Sequence, residues 1–419
     1  MIVDSFLSYL FLYPPASTLL FISATVFIRT AAYSYFFHPY ADIPGPFWAK
    51  VSRLWLARQV VRGDIDKTQR ALHQNYGPIV RVAPNELSIS DPTALKVIYA
   101  VNSGFSKTDF YLPFAAHLSQ NEDFFTQQDE KHHAPRCRVV NNLYSLSSIL
   151  ESEQYIDTYT VTFMSRLDEF DSSCRPWTWD YGFRCMPLMS SFGFMENRHD
   201  YGRYIESLDA LLPAVAVACV LPSYVRPLQV LGHLFPPLHR ALKCYDNIVR
   251  AAKQAVRDRQ AQVEKNAERS DLLDKLFNVA ATEDDFSLAD VTTKAWVSLF
   301  AGSNTTAIAM RSILYNIIKN PEVNKKVTAE IDDAASKSRL STPVKYPEAI
   351  RLPYFVACCR EGFRVHPSVG MSMPRHVPPS GATIAGRYFK GGSRVGMSAN
   401  VLHFDKDIFG EDADSYNPD

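Results

Sequence analysis

The sequence predicts a mainly α-helical protein with small β-sheets, set behind an N-terminal transmembrane helix. Three features predict it: an uncharged apolar run near the N-terminus, long helical segments through the middle of the chain, and short strands punctuated by Gly and Pro toward both ends. The predicted divisions are a membrane anchor over residues 1–40 and one large domain over residues 41–419.

The composition is that of a packed globular protein. Of the 419 residues, 47% are hydrophobic and 12% aromatic, which argues against a disordered chain. Lys plus Arg and Asp plus Glu both total 44, so no basic field attracts nucleic acid, and we expect no nucleic-acid partner. No C-x-x-C or H-E-x-x-H motif occurs, so neither a disulfide framework nor a structural metal is predicted. The seven cysteines are Cys137, Cys174, Cys185, Cys219, Cys244, Cys358 and Cys359.

The apolar run is the candidate membrane anchor. Ser5 to Ile28 carries no charge and lies between Asp4 and Arg29, and this length can cross a bilayer core of about 30 Å. Two prolines interrupt the run, so the helix is predicted to start near Pro15 and continue toward Phe37. A buried core helix is the alternative, whereas a cleaved signal peptide would want a basic start in place of Asp4.

Charged residues and prolines follow the anchor. Lys50, Arg53 and Arg58 favour a cytosolic location for everything downstream of a single-pass anchor. Ahead of them, Ile43-Pro44-Gly45-Pro46 is predicted to be a stiff, non-helical connector, because its prolines have fixed φ angles and donate no backbone hydrogen bond.

Turn residues delimit the short strands. Tyr76-Gly77-Pro78 opens a turn into a strand over 79–82, and a second turn leads back through 87–90, which predicts a β-hairpin. Asp91-Pro92-Thr93 is predicted to cap a helix that reaches Ala100. Further predicted elements are a charged amphipathic helix over Ile248–Arg269 and late strands over Ala382–Ala385 and Ser393–Met397.

A long helix predicted from Leu288 to Asn320 contains the hexapeptide Ala301-Gly302-Ser303-Asn304-Thr305-Thr306. Its small residues leave the helix surface bare, so a flat group can approach the backbone closely. The hydroxyl of Thr305 can bond the carbonyl one turn earlier, near Ala301, and loosen the helix there. Such a groove could hold dioxygen and relay protons. Close helix packing is the alternative reading of the same small residues.

A second helix carries an E-x-x-R pair, Glu361 and Arg364, which share one helix face. Apolar neighbours predict that this pair is buried, where it needs further partners to offset desolvation. Glu348 and Arg351 match the same pattern, and this copy is predicted to lie on the surface. Only the Glu361–Arg364 copy is preceded by Leu-Pro-Tyr and followed by His-Pro.

The order of these segments resembles the cytochrome P-450 family over essentially the whole chain, in the form found in fungal secondary metabolism. Pro-Gly-Pro lies behind the anchor, the long helix precedes the E-x-x-R helix, and Pro374-Arg375 precedes the late strands. The tail from His403-Phe404-Asp405 to Asn417-Pro418 also matches. The resemblance implies a mainly α haem domain with small β-sheets.

The resemblance also implies residue roles. Thr305 would be the oxygen-activating hydroxyl, Ala301 and Gly302 would approach the haem, and Glu361 with Arg364 would brace the haem-side core. His133 and Arg136 would bind one haem propionate and Arg375 the other, because a guanidinium donates two parallel hydrogen bonds to a carboxylate. A solvated basic patch is the alternative for His133 and Arg136. Asn304 stands where the family usually has Asp or Glu, and a neutral amide can hold a water but cannot exchange protons.

The sequence departs from the family at its end. Family members continue from the Asn-Pro position into an F-x-x-G-x-x-x-C-x-G loop, and none of the seven cysteines lies in such a loop. The domain is therefore expected to be incomplete at its C-terminus, without the haem-ligand cysteine. Thiolate ligation, which favours O–O cleavage, is not expected in this chain.

Two functions follow as hypotheses. The first is a haem-thiolate monooxygenase that oxidises a small hydrophobic secondary metabolite with O2. Its electrons would come from NADPH through an NADPH-cytochrome reductase, at the endoplasmic reticulum membrane with the catalytic domain on the cytosolic side. The second is a non-catalytic truncated relative or another membrane-anchored binding protein.

Overall fold

A computed structural model describes residues 14–115, 123–173, 200, 203–222, 236–263 and 271–419. Two compact units result. The first comprises Met1–Phe105 and Ser372–Ser398, and the second comprises Ser106–Met371 and Ala399–Asp419. The predicted boundary at residue 40 lies inside the first unit, and the division into 1–40 and 41–419 remains a prediction.

The first unit begins with the predicted anchor helix. Its helices are α1 (Pro14–Ala32), which continues as a π-helical turn (Tyr33–Phe37), α2 (Phe47–Val51), α3 (Leu54–Arg62), α4 (Ile65–Tyr76) and α5 (Ala94–Ile98). Among the described residues, one helix is long and apolar enough to cross a bilayer, over Ser17–Phe37, and its side chains are mostly exposed. Its span agrees with the predicted course from Pro15 to Phe37, and the exposure argues against a buried core helix. α5 ends at Ile98, slightly before the predicted end at Ala100.

The predicted hairpin is confirmed. The strands are β1 (Ile79–Ala83), β2 (Glu86–Ile89), β3 (Ser106–Lys107), β4 (Arg375–His376), β5 (Ala382–Ile384), β6 (Arg387–Phe389) and β7 (Arg394–Gly396). β1 and β2 are antiparallel, with Ile79 opposite Ile89. β7 pairs parallel with β2 and antiparallel with β4, and β5 pairs with β6. The late strands thus form where the Gly-rich pattern predicted them.

The second unit is helical. Its helices are α6 (Glu130–Asn141), α7 (Leu146–Leu150), α8 (Glu153–Ser173), α9 (Tyr204–Val220), α10 (Pro236–Val263), α11 (Leu272–Thr282), α12 (Leu288–Lys319), α13 (Pro321–Ser336), α14 (Tyr346–Ala349), α15 (Pro353–Val365), α16 (Ala399–Leu402) and α17 (Lys406–Phe409). Its 3-10 turns are Asp109–Phe114 and Asn142–Tyr144. α10 begins before the predicted amphipathic stretch, and residues 264–269 of that stretch lie outside the described residues.

The long helix α12 organises this unit. Ser287 and Asp290 form a capping box at its start, and Asn320-Pro321 follows its last residue, so its bounds agree with the predicted Leu288–Asn320. Its buried residues Trp296, Leu299 and Phe300 pack with α9 and α10 into the largest apolar cluster described. α15 packs so closely on α12 that a side chain at Gly362 would collide with Ile313. This fixes the E-x-x-R helix against the helix that carries Thr305.

Candidate active site

The middle of α12 has the local geometry that the hexapeptide predicts. The Thr305 hydroxyl donates to the carbonyl oxygen of Ala301 over 2.9 Å, and Thr305 is half-buried. Its own carbonyl accepts a hydrogen bond of 2.9 Å from the Ser368 hydroxyl. Ala301 is exposed, and Gly302 and Asn304 are half-buried, so this helix face is open as predicted. The hydrogen bond is confirmed, whereas the catalytic roles of Thr305 and Asn304 remain predictions.

A second pair of hydroxyls acts on the preceding turn. The carbonyl oxygen of Leu299 accepts hydrogen bonds from the Ser303 hydroxyl at 2.7 Å and from the Tyr204 hydroxyl at 2.8 Å. All three residues are buried. Sequence reasoning missed Tyr204, because a tyrosine on α9 carries no local sign that it reaches α12. The hydrogen bond from Ser303 was predictable from the sequence, because a Ser hydroxyl in a helix can donate to the i−4 carbonyl as a Thr hydroxyl does.

The open face of α12 borders a cavity of about 510 Å³. Ala301, Gly302, Val297 and Ser298 form one wall. The other walls are mainly apolar and aromatic, and they include Phe124, Phe125, Leu143, Ile149, Ile156 and Tyr159. A cavity of this size and character suits a small apolar molecule or a flat cofactor.

Four charged residues line part of this cavity, namely Asp123, Lys294, Asp271 and Lys275, and the first two pair with each other. The Lys294 ammonium lies 2.9 Å from the Asp123 carboxylate, and both side chains are almost fully buried. Burial lowers the pKa of Lys294, and the Asp123 charge opposes that shift. The pair compensates its own charge, so the cavity offers no net charge to a ligand at this point.

Arg364 is buried as predicted, and its partner Glu361 is half-buried. Arg364 is 8% exposed, and its Nε and Nη2 each donate to a Glu361 oxygen over 2.7 Å. The same guanidinium donates over 2.6 Å to the carbonyl oxygens of His403, Ala413 and Ser415. All five of its N–H donors therefore have acceptors, which is what a buried guanidinium requires. The pair ties α15 to the last residues of the chain.

The other E-x-x-R copy has a different task. Glu348 is half-buried rather than on the open surface that was predicted, while Arg351 is exposed. One Glu348 oxygen accepts from the backbone N–H and hydroxyl of Ser341, both at 2.8 Å, and from the Lys345 N–H at 3.1 Å. These hydrogen bonds lower the pKa of Glu348. The glutamate caps α14, so it is a local cap and not half of an ion pair.

The residues predicted to hold haem propionates have protein partners here. Arg136 on α6 lies 3.0 Å from the Asp290 carboxylate at the start of α12. The two ring nitrogens of His133 lie 3.2 Å from Glu130 Oε1 and 3.3 Å from Cys137 Sγ. Arg375 belongs to the first unit, and its guanidinium lies over the Tyr99 ring at 5.5 Å. The propionate roles remain predictions.

Comparison with known proteins identifies the family. Residues 43–419 match the family model "Cytochrome P450". The chain is 35% identical to the cytochrome P450 monooxygenase gsfF of Penicillium aethiopicum, over 91% of this chain and 79% of that protein. It is 30% identical to a cytochrome P450 monooxygenase of Aspergillus terreus, over 90% and 80%, and 28% identical to the pisatin demethylase of Fusarium vanettenii, over 92% and 77%. The chain belongs to the cytochrome P450 family, and its activity class is that of a monooxygenase.

Haem is the cofactor of this family, and the described residues fit it on one side only. The bare face at Ala301 and Gly302 and the cavity beside it suit the flat face of a porphyrin. A cysteine that held the haem iron would need an ionised sulfur. Burial instead raises the pKa of the Cys137, Cys219 and Cys358 thiols, and that of Cys359 to about 11. Cys244 packs in the apolar cluster, and the two remaining cysteines, Cys174 and Cys185, lie outside the described residues.

Proposed function

We propose that this monooxygenase oxidises a small apolar molecule at the open face of α12, by hydroxylation, desaturation or demethylation. The observation that carries the proposal is the hydrogen bond from Thr305 to the Ala301 carbonyl, next to a cavity with apolar walls. Pisatin demethylase is one relative whose printed name states a demethylation. The cavity suits hydrophobic substrates, because its walls are mainly apolar and its buried Lys294–Asp123 pair is internally compensated.

Thr305 and Asn304 are proposed to position the water and the hydrogen bonds for proton transfer at this face. The Thr305 hydroxyl donates to Ala301 and keeps its lone pairs available to accept from a water or substrate oxygen. The Asn304 amide can hold a water but cannot exchange a proton with it, whereas the Thr305 hydroxyl can donate one hydrogen bond while it accepts another. Bound haem would supply the oxygen chemistry.

Arg136, His133 and Arg375 are proposed as propionate partners. Arg136 would have to share its guanidinium between Asp290 and a propionate, which five N–H donors permit. We propose that none of the described cysteines is the haem ligand, because burial raises the pKa of Cys137, Cys219, Cys358 and Cys359. Replacing Cys358 or Cys359 by alanine should therefore leave the absorption spectrum of the reduced, carbon-monoxide-bound protein unchanged. A changed Soret band in either variant would show that a described cysteine is the ligand.

The protein is proposed to reside in the endoplasmic reticulum membrane as a single-pass protein, with its folded part in the cytosol. The apolar helix over Ser17–Phe37 and the basic residues after it support this topology. An NADPH-cytochrome reductase in the same membrane would deliver the electrons.

The activity is tested in microsomes that hold the full chain and a fungal reductase. Apolar candidate substrates are supplied with NADPH, and products that gain one oxygen are sought by mass spectrometry. Thr305→Ala is the matched variant, and it should lower product formed per NADPH consumed. If haem-loaded protein binds these molecules and converts none, the chain is a membrane-anchored binding protein.

A further inference from the structure

A second apolar concavity lies in the helical unit, between α8 and the loop that leads into α14. It has a volume of about 1130 Å³, and we call it the α8 groove. Its apolar side chains are exposed: Val161 is 53% exposed, Met164 51% and Val344 45%. Leu146 of α7 adds a further apolar side chain, which is 54% exposed. Apolar side chains exposed along one concave surface mark a binding site.

The part of α8 that lines this groove is one continuous stripe of the helix. Its residues recur at i, i+3 and i+4, and they are Glu153, Ile156, Asp157, Thr160, Val161, Met164, Ser165, Asp168 and Glu169. Another face of α8 packs on α12, where Phe163 is buried against Ala307. The helix therefore has two apolar faces, and one of them is used in the fold. The stripe is about 24 Å long, which matches a partner helix of about four turns.

The two walls of the groove are bonded to each other. Lys345 in the loop pairs with Asp157 on α8, and the backbone N–H of Tyr346 donates to the Glu153 carboxylate over 2.6 Å. Glu348 holds the other end of the same loop through the backbone N–H and the hydroxyl of Ser341. The groove is thus formed before anything binds, so binding does not have to order its walls.

The charge around the groove is acidic. Four of the described lining residues are acidic and none of them is Lys or Arg, and we call these four the acidic rim: Glu153, Asp157, Asp168 and Glu169. Lys345 pairs with Asp157, and Arg166 pairs with Glu169 at 2.6 Å, which leaves two negative charges of the rim uncompensated. As a whole, α8 has five acidic residues and one basic residue. A basic ligand is therefore complementary to this surface.

We propose that the α8 groove binds a basic amphipathic helix of a partner protein. The apolar face of that helix lies against Val161 and Met164, and its Lys or Arg side chains lie beside the acidic rim. Recognition of a helix in a groove depends on apolar side chains at i, i+3, i+4 and i+7, which is the spacing of the stripe on α8. The acidic rim repels anionic lipid headgroups and acidic protein surfaces. The inference depends neither on the proposed oxidation nor on the proposed membrane anchor.

The test measures binding of a labelled peptide to the full chain in phosphatidylcholine nanodiscs, by fluorescence anisotropy. The probe is a leucine–lysine peptide about four turns long, with its leucines on one helical face. One control peptide has the same composition in an order that is not amphipathic, and a second has glutamate in place of lysine. Empty nanodiscs give the blank. The leucine–lysine peptide should bind most tightly, and added salt should weaken its binding.

Substitutions in the groove locate the site. Asp168→Lys should weaken binding of the lysine peptide about fivefold and strengthen binding of the glutamate peptide. Val161→Thr combined with Met164→Gln should weaken binding of the lysine peptide about tenfold, because less apolar surface is buried. Asp332→Lys and Val101→Thr are the matched controls, since both residues are exposed and lie outside the groove. Both controls should leave the affinity unchanged.

Three results would overturn the proposal. They are wild-type affinity in both groove variants, equal binding of all three peptides, and self-association that the groove variants abolish. Sedimentation velocity without peptide measures the self-association, and its loss in the variants would make a second copy of this chain the occupant. If circular dichroism shows that the double variant does not fold, Met164→Gln alone should weaken binding by a smaller factor, and unchanged affinity in that variant would count against the groove.

Discussion

Replacing Glu361 by alanine removes the carboxylate that holds Arg364 and leaves a guanidinium that is 8% exposed. Breaking a buried ion pair by deleting one partner costs ~3–5 kcal/mol. Three carbonyl acceptors remain for Arg364 after the substitution. We therefore expect the lower end, about 3 kcal/mol of unfolding free energy. Asn417 also loses the acceptor of its N–H, but it lies exposed, so water replaces that bond.

The assay is urea unfolding of the full chain in detergent micelles, followed by far-ultraviolet circular dichroism. Glu348→Ala is the matched control, since it deletes the same side chain from the other E-x-x-R copy. It removes the cap of α14, and loss of a cap costs ~1 kcal/mol. Equal losses in the two variants, or a smaller loss for Glu361→Ala, would show that the Arg364 network is not the brace of α15.

A double substitution tests the same reasoning. Glu361→Ala combined with Arg364→Met removes the stranded charge as well as the carboxylate. The double variant should then be more stable than the sum of the two single losses indicates, because the two residues share one interaction. Strict additivity would mean that the two side chains act independently, contrary to the bidentate contact.

Three further predictions follow from the described contacts. Thr305→Ala should change the free energy of unfolding by under about 1 kcal/mol but lower the amount of product formed per NADPH consumed. Thr305→Ser should retain the wild-type amount of product per NADPH. The same amount in both variants would leave Thr305 a packing role only. Burial lowers the pKa of His73 below its ordinary value of 6.5. On acidification the unfolded chain therefore becomes protonated at a higher pH than the folded chain, and the free energy of unfolding should fall as the pH drops below about 6.5. Urea midpoints at acidic and neutral pH measure this fall, which His73→Gln should reduce, and an unchanged pH dependence in that variant would contradict it. Tyr204→Phe should speed amide hydrogen exchange on α12 near Ser303, because Leu299 loses one of its two hydroxyl donors; unchanged exchange would mean that the Tyr204 contact does not hold this turn.

Local signals predicted several elements correctly. Ser287 and Asp290 cap the start of α12, and Asn320-Pro321 stops it, so its length was readable from the chain. The Gly77-Pro78 turn and the alternating residues after it defined the β1–β2 hairpin. The hydrogen bond from Thr305 to Ala301 was also predictable, because both partners lie on one turn of the same helix.

Long-range contacts were not predictable in this way. The carbonyl acceptors of Arg364 lie 39 to 51 residues further along the chain. Every backbone carbonyl can accept a hydrogen bond, so the sequence does not mark which ones Arg364 contacts. Two identical E-x-x-R patterns have different tasks because one faces α12 and the chain end, while the other faces a short loop. Tyr204 reaches Leu299 across 95 residues, with no pattern in either segment to announce it.

The sequence by itself determined the apolar helix near the N-terminus, the helix with the open Ala301–Thr305 face and the family to which the chain belongs. The first two depend on residue spacing within one segment, where geometry follows from the helical repeat or from the length of an apolar run. The family follows from the order of several motifs along the whole chain. Only the tertiary structure decided which acceptors satisfy Arg364 and which residues bond the end of the apolar N-terminal helix. Arg81 illustrates the reason: it reads as a polar residue in a strand, yet it is fully buried because folding brings the Ser34 and Tyr40 carbonyls to its guanidinium. Backbone carbonyls carry no sequence signature, so contacts made with them become visible only once the chain has folded.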